Sequence, residues 1–368
     1  MEKKALYLAG GGARGAYQVG VLKAIDEILK VKVFPFDMLC GVSVGSVNAT
    51  VLASYAHDFP EAVKRLETLW GAIHCDQVFD VSNYQLGKSV LRNISHLIVR
   101  QNHSGYLLDT SPLRELIHRE GDFYLINNNI AQGHLETLEV QCSCYENAQT
   151  VSFYQQKQSF EDWFYPRHMS KFSKITADHI MASSALPLFF PPVKVGQFHY
   201  GDGSLGLVAP LRGCIRFNMN RIMILGTRQA PSFAEAELVE AHKIDFAQIL
   251  GAMMNGLFID NLDRDIELVN RMNDIARLLT LWRKHQSPWR PIQTLYLRPS
   301  MDMGAIAQAQ YQSMPALLRF LLNMLGAKAK SGDLLSFLLF ESEFTSEIVK
   351  MGYKDTMEQA NVVAAFFK

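Results

Sequence analysis

The chain has 368 residues, longer than a typical single domain, and 48% of them are hydrophobic against 20% charged. That composition supplies a buried core and excludes a disordered chain. Lys plus Arg and Asp plus Glu are equal at 36 each, so there is no global basic field to gather nucleic acid or anionic membrane by charge alone.

The first residues lead straight into the apolar segment Ala5–Ala9, which is too short for a signal peptide and reads as a strand. No run of about 18 apolar residues is present to span a membrane. The expectation is a cytosolic protein with local, peripheral membrane contact; secretion into a host cell by a route other than Sec is the alternative. Val19, Leu22, Ile25 and Leu29 then recur at steps of three and four and predict a core-facing helix. Phe36–Cys40 reads as the second strand, Val47–Ala56 as a helix, and Pro60 opens another helix towards Ile73. Ser111 is the expected cap of a helix with Pro112 at its first position.

Thr137–Tyr145 and Thr150–Gln155 read as strands joined by a turn at Glu146–Gln149, and Arg221–Leu225 and Thr294–Arg298 as further strands. Between the last two, Leu262, Ile266, Val269, Met272, Ala276 and Leu279 hold one face of a long helix. Asp260, Asp263 and Asp265 read as its solvated acidic face rather than a metal site. The five cysteines, Cys40, Cys75, Cys142, Cys144 and Cys214, lack zinc-site spacing and read as reduced, buried thiols. Neither a metal nor a cofactor is expected. Short apolar runs alternating with amphipathic stretches indicate an α/β fold with a parallel sheet covered by helices.

Three junctions carry chemistry. Gly10, Gly11, Gly12, Arg14 and Gly15 stand between the first strand and the first helix, where backbone N–H groups can converge on an anion. The same string spells a dinucleotide fingerprint, which requires an acidic residue at the carboxyl end of the second strand. Asp37 instead stands near that strand's beginning, and the far end carries Gly41, Ser43 and Gly45. A GxSxG between strand and helix is the setting of a nucleophile elbow, whose sharp turn strains the serine and whose glycines avoid collision. Asp202, Gly203 and Ser204 follow another apolar stretch; an Asp-Gly pair taken alone is a turn.

Taken in order, these elements resemble the patatin-like phospholipase family, with its GGGxRG loop, GxSxG elbow and a downstream Asp-Gly followed by Gly or Ala. Ser204 departs from the last of these, as a third small residue. Ala182–Pro187 and Phe190–Val193 resemble the segment leading into the family's aspartate strand. The resemblance covers residues 5–212, the catalytic region, and leaves 213–368 as a helix-rich continuation. It implies a three-layer fold with a mainly parallel central sheet, and a Ser43–Asp202 dyad with no histidine. It also implies an oxyanion hole in the loop Gly10, Gly11, Gly12, Arg14 and Gly15, with Gly11 and Gly12 as leading N–H donors. Arg14 has two open roles, holding a lipid phosphate or pinning the loop through backbone carbonyls.

The implied activity is hydrolysis of fatty acyl esters of phospholipid or another acyl lipid, of the phospholipase A or lysophospholipase type. Transfer of the acyl group to another acceptor and a non-catalytic scaffold remain alternatives, and a protein activator is left open. A Ser-Asp-His triad would place its histidine after the acid, where only His242 and His285 stand; His179 and His199 precede it. Two apolar clusters are candidates for the acyl channel or the membrane interface: Leu186, Leu188, Phe189 and Phe190, and Leu317, Leu318, Phe320, Leu321 and Leu322.

Overall fold

The computed structural model describes residues 2–80, 106–230, 260–278, 290–324 and 332–368, with a few single positions between 249 and 256. Strands and helices alternate at the start: β1 (Lys4–Leu8), α1 (Ala16–Leu29), β2 (Met38–Val42), α2 (Val44–Ser54) and α3 (Phe59–Gly71). Then come α4 (Ser111–Glu120), α5 (Phe123–Gln132), β3 (Thr137–Cys144), β4 (Thr150–Gln155), β5 (Phe164–Tyr165), β6 (His168–Phe172) and α6 (Ala177–Ser183). β7 (Val193–Val195), β8 (Phe198–Asp202), α7 (Arg212–Arg216), β9 (Arg221–Leu225), α8 (Asp260–Leu278) and β10 (Gln293–Leu297) follow. The chain closes with α9 (Met303–Ala309), α10 (Ala316–Met324), α11 (Gly332–Leu338), α12 (Ser342–Met357) and α13 (Ala360–Phe367).

The described strands form one sheet in the order β10, β9, β1, β2, β3, β4, β6, β5, with β8 also on β3 and β7 on β8. β10, β9, β1, β2 and β3 are mutually parallel, and the β3–β4 hairpin is antiparallel. The result is a mixed, mostly parallel sheet between helical layers, with a helix-rich C-terminal region. β1 and β2 are buried on both faces, so they read as unbroken apolar runs. Leu6, Leu8 and Leu39 enter one layer, while Ala5, Tyr7, Met38, Cys40 and Val42 enter the other. β9 and β10 extend the parallel half beyond β1, and α12 lies along α1. There a Cβ on Gly20 would stand 1.9 Å from the Val349 carbonyl oxygen, so only glycine permits that approach.

One arrangement decides where the site lies. β2 runs parallel along Thr137–Gln141 of β3, and β8 runs antiparallel along Cys142–Cys144. β4 occupies the opposite edge of β3, so β2 and β8 share one edge and meet head to head. Val42 stands opposite Gln141, and Asp202 stands opposite Cys142.

Several local expectations are corrected. β2 ends at Val42 and α2 begins at Val44, leaving a single residue between them. Ser111 does not cap α4: Asp109 Oδ1 accepts both its N–H and its hydroxyl, and Thr110 precedes the helix. Asp265 is not solvated, because it is buried beneath α7 and its Oδ2 accepts the Leu211 N–H at 2.8 Å. Asp263 pairs with Arg298 at 2.7 Å. The expected core face of α8 holds at Leu262, Val269 and Ala276, while Leu279, His242 and His285 lie outside the described residues. All five cysteines are free and buried. Among the described residues, no cluster fit for a metal ion is present and no helix is long and apolar enough to cross a membrane.

Candidate active site

Ser43 is the one residue between β2 and α2, at φ 53° and ψ −129°. A non-glycine residue held there stores about 1–3 kcal/mol of strain and persists only where its surroundings enforce it. A Cβ on Gly41 would lie 2.6 Å from the Gly45 carbonyl oxygen, and one on Gly45 would lie 2.1 Å from that of Leu8. Both glycines are therefore steric necessities of the turn. The Ser43 carbonyl accepts the Ser46 N–H at 2.8 Å and the Ser46 hydroxyl at 2.6 Å.

Asp202 ends β8 and is fully buried. Its Oδ1 accepts the Ser204 N–H at 2.9 Å, and Oδ2 is sealed from solvent with no hydrogen-bond partner among the described residues. Burial lifts its pKa to about 6, against the opposing pull of the Ser43 hydroxyl and of Ser204. A weak carboxylate base thereby becomes one matched to neutral pH. Gly203 packs so tightly that a Cβ would stand 2.0 Å from the Gln141 carbonyl oxygen and 3.1 Å from Val42 Cγ1.

The glycine loop comes against the elbow from the end of β1. Gly11 has φ 155° and Gly12 φ 57°, and a Cβ on Gly12 would lie 2.1 Å from the Phe337 carbonyl oxygen. Among the described residues no acceptor takes the N–H of Gly11 or Gly12. The Gly10 carbonyl accepts the Thr227 hydroxyl at 2.6 Å, and a Cβ on Gly15 would crowd Val44 at 2.7 Å. Gly12 and Ser43 both face a cavity with about 590 Å³ of empty space, including its open mouth. Ser184 adds a second hydroxyl to a lining that is otherwise apolar and includes Val47, Trp70, Leu116, Phe190, Phe337 and Phe340. The pocket is apolar, with two hydroxyls among its lining groups.

A family model described as patatin-like phospholipase matches residues 6–215. The chain belongs to the patatin-like phospholipase family. A 95-residue stretch is also 33% identical to the lysophospholipase nte1 of Aspergillus terreus and, at the same identity, to that of Aspergillus oryzae. The matched stretch is 24% of this chain and spans only 6% of either relative's length. Among solved structures, VipD from Legionella pneumophila aligns at a TM-score of 0.41 and 13% identity, over 98% of this chain and 67% of that one.

Within this patatin domain Arg14, His179 and His199 are each held by contacts of their own. The Arg14 guanidinium is buried, stacks 4.2 Å from the Phe337 ring and donates to Ser336 Oγ at 2.8 Å and Asp333 Oδ1 at 3.0 Å. These contacts tie the glycine loop to α11. His179 is buried against Phe153, and its Nδ1 accepts the Thr176 N–H at the start of α6. Burial pulls its pKa down to about 4. His199 pairs with Glu146 at 2.8 Å on an exposed edge. Neither contacts Ser43.

Of the first apolar cluster, Leu186 and Phe190 line the cavity, Phe189 is core, and Leu188 is 59% exposed at a left-handed φ of 71°. In the second, Leu318 and Leu322 are core and Phe320 is exposed, while the side chains of Leu317 and Leu321 lie outside the described residues. Sequence reasoning missed Thr227 and gave Ser184, Phe337 and Phe340 no role at the site, because no local pattern ties them to the elbow.

Proposed function

We propose that this patatin domain is a serine lipid acyl hydrolase of the phospholipase A or lysophospholipase type, acting through Ser43 and Asp202. The observation that carries the reading is a strained serine at the mouth of an apolar cavity, its hydroxyl acting on a buried carboxylate of raised pKa. The Asp202 carboxylate takes the Ser43 proton as Oγ attacks the ester carbonyl carbon, and the carbonyl π pair moves onto oxygen. The N–H groups of Gly11 and Gly12 are the donors we assign to that oxyanion; one such donor is typically worth about 10²–10³ in rate. Collapse expels the alcohol, which receives the proton from Asp202. Water then repeats the cycle on the acyl-enzyme, with Asp202 as base, and releases the fatty acid.

The family and the lysophospholipase relatives support a phospholipid or lysophospholipid substrate. Contact with the bilayer is peripheral in this reading, and it is made by exposed apolar side chains, foremost Leu188, which stands in the chain between the cavity-lining Leu186 and Phe190. The deciding experiment is Ser43→Ala with fluorophosphonate labelling. Wild type labels at Ser43 and releases fatty acid from a mixed phospholipid extract, and the variant does neither while remaining folded. Unchanged hydrolysis by Ser43→Ala, or labelling at another residue, rejects the assignment.

A further inference from the structure

Resting on the dyad proposed above, we infer that Ser183 is the positioning residue that sets the separation of Ser43 from Asp202. The two reacting side chains stand on β2 and β8, which meet end to end on one edge of β3. Strands that meet in this way do not share a ladder with each other. A third segment must therefore join them.

The end of α6 does so. The Ser183 hydroxyl accepts the Ser43 N–H at 2.9 Å and donates to the Gln141 carbonyl at 2.7 Å, bridging β2 to β3 where Ser43 leaves the ladder. The Ser183 carbonyl accepts the Gly203 N–H at 3.2 Å, and the Ala185 carbonyl accepts the Asp202 N–H at 3.0 Å. The Ser184 hydroxyl reaches the Ser43 carbonyl at 3.3 Å. Ser183 thus holds the nucleophile by its side chain and the base's neighbour by its backbone. It is fully buried, so water cannot take over either bond. It also takes up the Ser43 N–H itself, which leaves the oxyanion to other donors.

The requirement is a hydroxyl, because one atom must accept and donate at once. Alanine leaves the Ser43 N–H and the Gln141 carbonyl unpaired and frees the elbow to shift. A displacement of about 1 Å in a reacting group costs up to roughly 100-fold in rate.

The test uses the full-length chain with a soluble short-chain ester, comparing Ser183→Ala, Ser183→Thr and Ser183→Cys with wild type and with Ser43→Ala. Ser183→Ala is expected to lower kcat by roughly 10- to 100-fold with KM within about twofold. Its pH–rate curve should move to higher pH, because the Ser43 hydroxyl that holds down the Asp202 pKa has drifted away. Ser183→Thr, which keeps the hydroxyl, restores kcat and the pH curve. If the alanine variant does not fold, Ser183→Cys, close to serine in size but a poor donor and acceptor, must show the same kcat loss beside an active Ser183→Thr. A wild-type kcat and pH curve in Ser183→Ala or Ser183→Cys overturns the inference, as does a loss confined to KM or shared by threonine. Activity surviving in Ser43→Ala would instead overturn the dyad reading, so the two failures are distinct.

Discussion

If Asp202 is the base, its raised pKa must cost the fold stability at the pH where the enzyme works. The carboxyl moves from 3.8 to about 6 on folding, chiefly through burial. A folded-state pKa above the unfolded one gives stability that is fully present below the unfolded value and lost as pH rises through the folded value. At about 1.4 kcal/mol per unit, the whole loss is roughly 3 kcal/mol, of which about 2 kcal/mol falls between pH 4.5 and 7.5. Asp202→Asn removes the titration and little else. Its Oδ1 keeps the Ser204 N–H, and its amide, in place of the unpartnered Oδ2, can donate to Ser43. All other groups titrate in both proteins, so the stability difference isolates this one. Chemical denaturation at a series of pH values should show the variant gaining about 2 kcal/mol on wild type from pH 4.5 to 7.5, then a plateau. The same variant should be inactive, while wild-type kcat/KM rises through about pH 6 and levels off. Parallel stability curves for the two proteins would refute the argument, since an ordinary surface-like carboxyl would produce them.

Two further outcomes follow from the site. Alanine at His179, His199, His242 or His285 should each keep most of the activity, and His179→Ala should lose about 1 kcal/mol of stability with the start of α6. A folded histidine variant as inactive as Ser43→Ala would restore the triad. With a short-chain ester, the wild-type rate should rise sharply at the micellar threshold, and binding to neutral vesicles should survive high salt. Leu188→Ser should blunt both, because an apolar side chain buried in the interface contributes about 1.5–3 kcal/mol; a smooth hyperbolic rate and salt-sensitive binding in wild type would show that charge, not apolar contact, brings it to lipid.

Much of the site was legible because its demands are local. The GxSxG reads as an elbow from five residues, since Gly41 and Gly45 answer to backbone only a few positions away or on the adjoining β1. The glycine loop was readable for the same reason, lying between one strand and one helix. Where a helix begins is a finer matter: Ser43 occupies the gap alone, so α2 starts at Val44 and not at Val47. Asp265 read as solvated because helical periodicity reports which face a residue is on, not what later packs over it. Here α7 covers it, and its Oδ2 accepts the Leu211 N–H.

By itself the sequence determined the chemistry available: a serine that can be strained, a carboxylate flanked by small residues, and glycines that leave N–H groups bare. It determined too that strands and helices alternate, because apolar period and length are written residue by residue. Only the tertiary structure decided that the serine and the carboxylate meet. That depends on β2 and β8 arriving from opposite directions on one edge of β3, and on Ser183 bridging the place where they stop. The cavity likewise needs Phe337 and Phe340 from the far end of the chain, held near the glycine loop through Arg14. Contacts between such distant segments leave no period and no spacing in the sequence; they exist only after the core has closed, because it is burial and strand register that select them.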